Sequence, residues 1–267
     1  MKTIEVLEEA ARRVYDNVKH LPGTKESAGD FGRGAGGDIS RRIDILAEKA
    51  VLDYLKEINF TCTILGEECG RVELSKNSTG YIIMDAVDGS TNAVRGIPFS
   101  CCSLAFATNG KLSSVTDAAI IDLYTGDLYS ASKGMGAFMN GKKIQVHMEN
   151  PLYFVVGLDI SGITPDLLQR LLPIISASNH IRHFGAVALE LALFARGQVD
   201  LFVDIREKLR ITDVAAGYLI AMEAGGIVVG KNGKPLESDL TYDARISFIA
   251  AASEEILDET MKQLKLQ

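Results

Sequence analysis

The chain lacks the features that mark several large functional classes. It has no basic excess: 28 Lys and Arg stand against 35 Asp and Glu, a formal charge of -7 over 267 residues. That balance gives no electrostatic reason to bind nucleic acid or an anionic membrane. No apolar run is long enough to span a bilayer. The first residues, from Met1 to Arg13, carry acids early and lack the basic start and apolar core of a secretory signal. The four cysteines, Cys62, Cys69, Cys101 and Cys102, form no Cys-x-x-Cys pair and have no His at zinc-finger spacing. Cys101 and Cys102, adjacent on a strand, would point to opposite faces, so reduced thiols in a cytoplasmic protein are expected. There is no internal repeat, low-complexity tail or long linker.

What is present suits one large domain or two intimately packed ones, with 47% apolar and 24% charged residues. Ile4, Leu7, Ala11, Val14, Val18 and Leu21 predict a helix that Pro22 and Gly23 stop. Gly29, Gly32, Gly34, Gly36 and Gly37, with Asp30, Arg33 and Asp38, predict a loop. A second helix places Ile43, Leu46, Ala47, Ala50, Val51, Tyr54 and Leu55 on one side. Strands are predicted over 61–65, 81–85, 100–108, 114–121 and 127–132, with turns at Asn109-Gly110 and Asn140-Gly141. The second half alternates: helices over 165–177, 186–195, 213–223 and 254–265, strands over 181–184, 199–203, 227–229 and 246–251. This mixture predicts an α+β fold, with a boundary near Pro151.

Chemistry concentrates in Tyr81 to Asn92. An apolar strand ends in Asp85; Asp88 follows three residues later, then Gly89, Ser90 and Thr91. Two carboxylates at the end of a buried strand repel unless a cation sits between them, and a hard divalent cation with oxygen ligands meets that need. The Gly89-Ser90-Thr91 turn offers backbone N–H groups suited to a phosphate. Taken alone, the segment also fits a solvated turn. Glu67 and Glu68 follow a second apolar strand, and Asp213 opens an apolar helix. Glu67 alone fits a surface turn, and Asp213 an ordinary helix cap.

Together the segments resemble the inositol monophosphatase family, within the superfamily that includes fructose-1,6-bisphosphatases. The family's G-E-E, D-P-x-D-G-T-x-N, W-D-x-A-A-G and E-A-G-G correspond to Gly66-Glu67-Glu68, Asp85 to Asn92, Asp213 to Gly217, and Glu223 to Gly226. The resemblance spans nearly the whole chain. Ala86 stands in place of Pro, Ser90 in place of Thr, and Thr212 in place of Trp. The resemblance implies a layered α/β/α/β/α sandwich of the sugar phosphatase type. Its halves, residues 1–150 and 151–267, would complete one site between them. It implies Glu67, Asp85, Asp88, Asp213 and the Val87 carbonyl as ligands of two or three Mg²⁺, with Mn²⁺ an option. It implies that Asp44, in a segment like the family's D-x-x-T-x-x-D, pairs with the Ser90 hydroxyl, and that this pair and Glu67 position the attacking water. It also implies a Gly-rich loop folding over the site and a homodimer, sometimes paired into a tetramer.

A metal site would solve the charge problem of an acidic enzyme facing an anionic substrate. Phosphate ester hydrolysis then needs in-line positioning and charge cancellation, and the chain has no Cys-x5-Arg nucleophile motif. Asp88 and the Gly89 and Ser90 amides are the expected phosphate contacts; Arg182, Val187 and Arg206 are the expected substrate contacts. Arg206 lies seven residues before Asp213, where animal-type members have a sugar-binding Glu. An Arg there suits a second phosphate, and with Arg210 it resembles archaeal-type members acting on both fructose 1,6-bisphosphate and inositol 1-phosphate. Solvated surface charge is the alternative for both arginines. The competing functions are a 3′-phosphoadenosine 5′-phosphate phosphatase of the same superfamily and a non-catalytic member that binds a protein partner.

Overall fold

Strands in the first half of the chain gather into one sheet and those in the second half into another. The computed structural model describes residues 1–29, 32–35, 40–146, 154–241 and 243–264. The first sheet holds β1 (Thr63–Gly66), β2 (Gly70–Glu73), β3 (Tyr81–Asp88), β4 (Cys101–Ala107), β5 (Val115–Asp122), β6 (Leu128–Ser132), β7 (Gly136–Met139) and β8 (Lys142–Ile144), in the order β2-β1-β3-β4-β5-β6-β7-β8. The second holds β9 (Val155–Leu158), β10 (His180–Arg182), β11 (Leu201–Arg210), β12 (Ile227–Gly230) and β13 (Arg245–Ala251), in the order β10-β9-β11-β13-β12.

Helices cover both sheets on both faces. Helices α1 (Thr3–Val18) and α2 (Arg42–Glu57) pack on one face of the first sheet. Helices α5 (Val187–Ala195) and α6 (Ile211–Glu223) lie between the sheets. Helices α4 (Pro165–Ala177) and α7 (Glu254–Leu264) close the far face of the second sheet. The result is the expected α/β/α/β/α sandwich. Burial patterns follow the layers. Outer α1 buries one stripe, Val6, Leu7, Ala10, Ala11, Val14 and Val18. Central α5 buries eight of its nine residues. Strand β4 is buried throughout and reads as a continuous apolar run, because both its faces are covered. Gly217 lets α6 close on α5: a Cβ there would lie 2.6 Å from Leu191 Cδ1.

Two ladder irregularities place the site. In β3 the pairing steps from Asp85 with Ser103 to Asp88 with Cys101, so three steps on β3 match two on β4. Without that bulge, acids three residues apart would face opposite sides of the sheet. In β11 the pairing steps from Asp204 with Phe248 to Leu209 with Ile246, and Glu207 adopts a left-handed φ of 56° within the break.

Several sequence expectations shift. β11 runs to Arg210, beyond the predicted end at 203, because pairing with β13 resumes at Leu209 and Arg210 after the break. β10 is shorter than the predicted 181–184. β2, β7, β8 and β9 have three or four residues each, too few for periodicity to reveal. Pro151, Asp30, Gly36, Gly37 and Asp38 lie outside the described residues. Among the described residues, no helix is long and apolar enough to cross a membrane.

Candidate functional site

Strand ends of both sheets converge on a cleft of about 440 Å³ lined by acids, three arginines and the turn after β3. Glu67 leaves β1 with its amide on the Met84 carbonyl at 3.2 Å. Asp85 and Asp88 come from the bulged end of β3. Asp213 is the third residue of α6; it accepts from the Arg210 amide at 3.2 Å and from the Thr212 hydroxyl at 3.0 Å. Thr212 thus does polar work where the family has Trp. One carboxylate oxygen each from Glu67, Asp85 and Asp213 lie within 4.8 Å of one another.

Asp88 stands beside this trio and also lines the cleft. Its Oδ2 accepts from the Ala188 amide at 2.6 Å, with the Cys101 thiol 4.0 Å away. Gly89, with φ of 83°, makes the turn into the short helix α3 (Ser90–Arg95). A Cβ at Gly89 would lie 3.0 Å from both Ala186 Cβ and the Phe99 carbonyl, so conformation and crowding both select glycine.

Burial without compensation sets the electrostatics. Burial pushes Asp85 and Asp88 well above the ordinary carboxylate range; Glu67 adds repulsion at Asp85, and Asp213 at Asp88. Burial also raises Asp213, opposed by the Arg210 guanidinium. Asp44, third residue of α2, accepts from the Arg41 amide at 2.7 Å, yet burial pushes it up to about 7. The hydroxyl of Ser90, its expected partner, donates to the Val87 carbonyl at 3.1 Å. Ser90 also favours the ionised form of Asp44, against the larger effect of burial. Asp44 Oδ1 is left buried without a hydrogen-bond partner. The donor set is all hard oxygen, several charges must be neutralised together, and one buried oxygen is orphaned. These residues fit a divalent cation.

Three expected substrate contacts do not line the cleft. Arg182 is exposed and donates to the Ile181 carbonyl at 2.9 Å. The Val187 side chain is buried in the central core, and Gly185 forms the wall there. Arg206 is locked away: its Nη2 lies 2.5 Å from carboxylate oxygens of both Asp204 and Asp159, and its Nη1 donates to the Ser161 carbonyl at 2.9 Å. The arginines in the cleft are Arg33, Arg41 and Arg210. A local signal could have found two of them. Arg41 to Asp44 and Arg210 to Asp213 repeat one spacing, in which an arginine precedes a helix and its amide holds an Asp at the third helical position. Glu68 takes the Ser40 hydroxyl, and its carbonyl accepts from the Ala35 amide, holding part of the Gly-rich loop against the site. Glu190, unnoticed in the sequence, is buried beneath the Gly185 wall. It accepts from the Gly185 amide at 3.1 Å, and burial pushes it up to about 8.

Known proteins share this architecture. A fructose-1,6-bisphosphatase/inositol-1-monophosphatase from Methanothermobacter thermautotrophicus is 35% identical, over 96% of this chain and 94% of that protein. A bifunctional NADP phosphatase/NAD kinase from Methanococcus maripaludis is 31% identical, over 94% of this chain but 47% of that protein. The crystal structure of an inositol monophosphatase–fructose 1,6-bisphosphatase superposes with a TM-score of 0.88 at 30% identity, covering 98% of this chain and 100% of that one. The pattern of the inositol monophosphatase family matches residues 2–266. With that match added to the five layers and the acidic cleft, the chain belongs to the inositol monophosphatase family of phosphoric monoester hydrolases.

Proposed function

We propose that this enzyme hydrolyses fructose 1,6-bisphosphate and inositol 1-phosphate, using two or three Mg²⁺ held by Glu67, Asp85, Asp88, Asp213 and the Val87 carbonyl, with Mn²⁺ able to substitute. The observation that carries this reading is the trio of buried Asp85 with half-buried Glu67 and Asp213, whose oxygens come within 4.8 Å of one another. Bound there, the metal would neutralise the acids, screen the phosphate and lower the pKa of a water.

The chain's own residues supply the rest. The Gly89 and Ser90 amides, beside Asp88, seat the phosphoryl group in the cleft. Arg33, Arg41 and Arg210 offset the charge of an anionic substrate. The water oxygen bonds to phosphorus as the ester P–O bond breaks, and the leaving alkoxide takes a proton. Asp44, near 7 and with a bare Oδ1, suits acceptance of a proton released by the water; Ser90 and Glu67 orient that water. We read residues 1–150 and 151–267 as two halves sharing this site. The four free thiols support a cytoplasmic enzyme. A homodimer is the working assembly, which light scattering coupled to gel filtration tests.

The deciding experiment measures kcat/KM, with and without Mg²⁺, for fructose 1,6-bisphosphate, inositol 1-phosphate, NADP and 3′-phosphoadenosine 5′-phosphate. Mg²⁺-dependent release from the first two supports the proposal. A clear preference for either nucleotide moves the substrate assignment. No release from any of the four at saturating Mg²⁺ leaves the non-catalytic, partner-binding alternative.

A further inference from the structure

The cleft is lined by five acids, Glu67, Glu68, Asp85, Asp88 and Asp213, and one guanidinium already bonds a member of that cluster. Arg210 Nη1 donates to Glu67 Oε1 at 2.6 Å, with the two side chains 15% and 14% exposed. The backbone amide of the same residue holds Asp213 Oδ2 at 3.2 Å. Arg210 therefore touches two of the three carboxylates whose oxygens crowd within 4.8 Å of one another. A guanidinium stays charged at every accessible pH, so it is a permanent cation competing for Glu67.

From this geometry we infer that Arg210 is an internal counter-cation. It stabilises the metal-free cleft by neutralising Glu67, and it sets the affinity for the divalent ion, which must win that oxygen from it. The inference rests on the metal reading above and adds to it a residue that controls occupancy. A hydrogen bond between charged groups stabilises their pairing when the site is empty. Bringing in a divalent ion weakens or breaks that bond, and the loss subtracts from the binding free energy. The covalent link between the Arg210 amide and side chain makes the exchange local: the amide can keep Asp213 in place while the guanidinium swings from Glu67 towards an incoming phosphate. Occupancy by metal and attraction of substrate are then coupled through one side chain.

The test titrates Mg²⁺ by calorimetry, without substrate, into EDTA-stripped wild type, Arg210→Met and Arg210→Lys, and follows Tm with and without Mg²⁺. Arg210→Met should bind Mg²⁺ roughly tenfold more tightly than wild type. Arg210→Lys keeps the charge and should stay within about threefold of wild type at the scale of a partly exposed pair. The metal-free Tm of Arg210→Met should fall below that of wild type, and the gap should narrow when Mg²⁺ is added. Equal or weaker Mg²⁺ binding by Arg210→Met overturns the inference and makes Arg210 a positioning residue for Glu67. Binding by Arg210→Lys as tight as by Arg210→Met also overturns it, because the charge would then not matter. If the methionine variant does not fold, Arg210→Gln, neutral but able to bond Glu67, is held to the same expectation. Wild type that binds no Mg²⁺ sinks the metal reading itself, a result distinct from either failure.

Discussion

Arg206 and Arg210 leave one strand four residues apart, both meet carboxylates, and they end in opposite situations. Arg206 is 6% exposed and closed in by Asp204, Asp159 and the Ser161 carbonyl, partners its own sheet and the loop after β9 supply. Arg210 faces the cleft and pairs with Glu67, which follows β1 of the other sheet. The break in β11 between Asp204 and Leu209 separates the two directions. A guanidinium enclosed by two carboxylates has nothing left to offer a ligand. One resting on an over-acidic site can yield its partner to a better cation. Residue type and strand are the same for both; the partners decide.

The contrast breaks most visibly at the acids. Asp85→Asn should lower kcat/KM by at least about 10³-fold on every substrate, since it removes several kcal/mol of metal-borne stabilisation. Its Tm in EDTA should hold or rise, because a buried charge among like charges is gone. Retained activity in a phosphate-release assay would put the metal elsewhere.

At the locked end the order reverses. Arg206→Ala strands Asp204 and Asp159, and breaking such a buried pair costs about 3–5 kcal/mol. Tm should drop on the order of 10 °C, while remaining activity falls alike on fructose 1,6-bisphosphate and inositol 1-phosphate. An unchanged Tm with selective loss on the bisphosphate would return Arg206 to the substrate.

Glu190 sharpens the comparison, for its carboxyl leans on the Gly185 amide and burial raises it to about 8. Its folded value lies above its unfolded one. The stability it contributes is thus present at acid pH and is lost as pH climbs towards about 8. Melting in EDTA across that window should show a falling Tm for wild type and a flatter curve for Glu190→Gln. Identical slopes would mean Glu190 ionises normally.

The smallest effect belongs to Arg182. With its guanidinium on the Ile181 carbonyl at an exposed edge, Arg182→Ala should change kcat/KM by less than about twofold on either substrate.

Much of this was legible from sequence because the relevant signals are local. Asp85, Asp88, Glu67 and Asp213 each sit at the end of an apolar element that the pattern reveals, and α1, α2 and α6 follow their stripes. What stayed hidden is non-local. Asp159 reaches Arg206 across 47 positions of sequence only because β9 and β11 are neighbours in the second sheet. The charged run from Asp204 to Arg210 looks like a loop until β13 pairs with its two ends. The motif pairs Ser90 with Asp44, and the Ser90 hydroxyl does favour the ionised carboxylate; that it also donates to the Val87 carbonyl is a local contact that the motif does not show.

The Ala188 amide bound to Asp88 joins residues 100 positions apart, one on a strand of the first sheet and the other on a helix between the sheets. On the ribosome, Asp88 emerges long before Ala188, and Asp213 later still. A chain in mid-synthesis therefore has acids without the amide and the helix that arrange them. The arranged cleft is therefore a property of the long chain: no segment that stops short of Ala188 can hold Asp88 in this way.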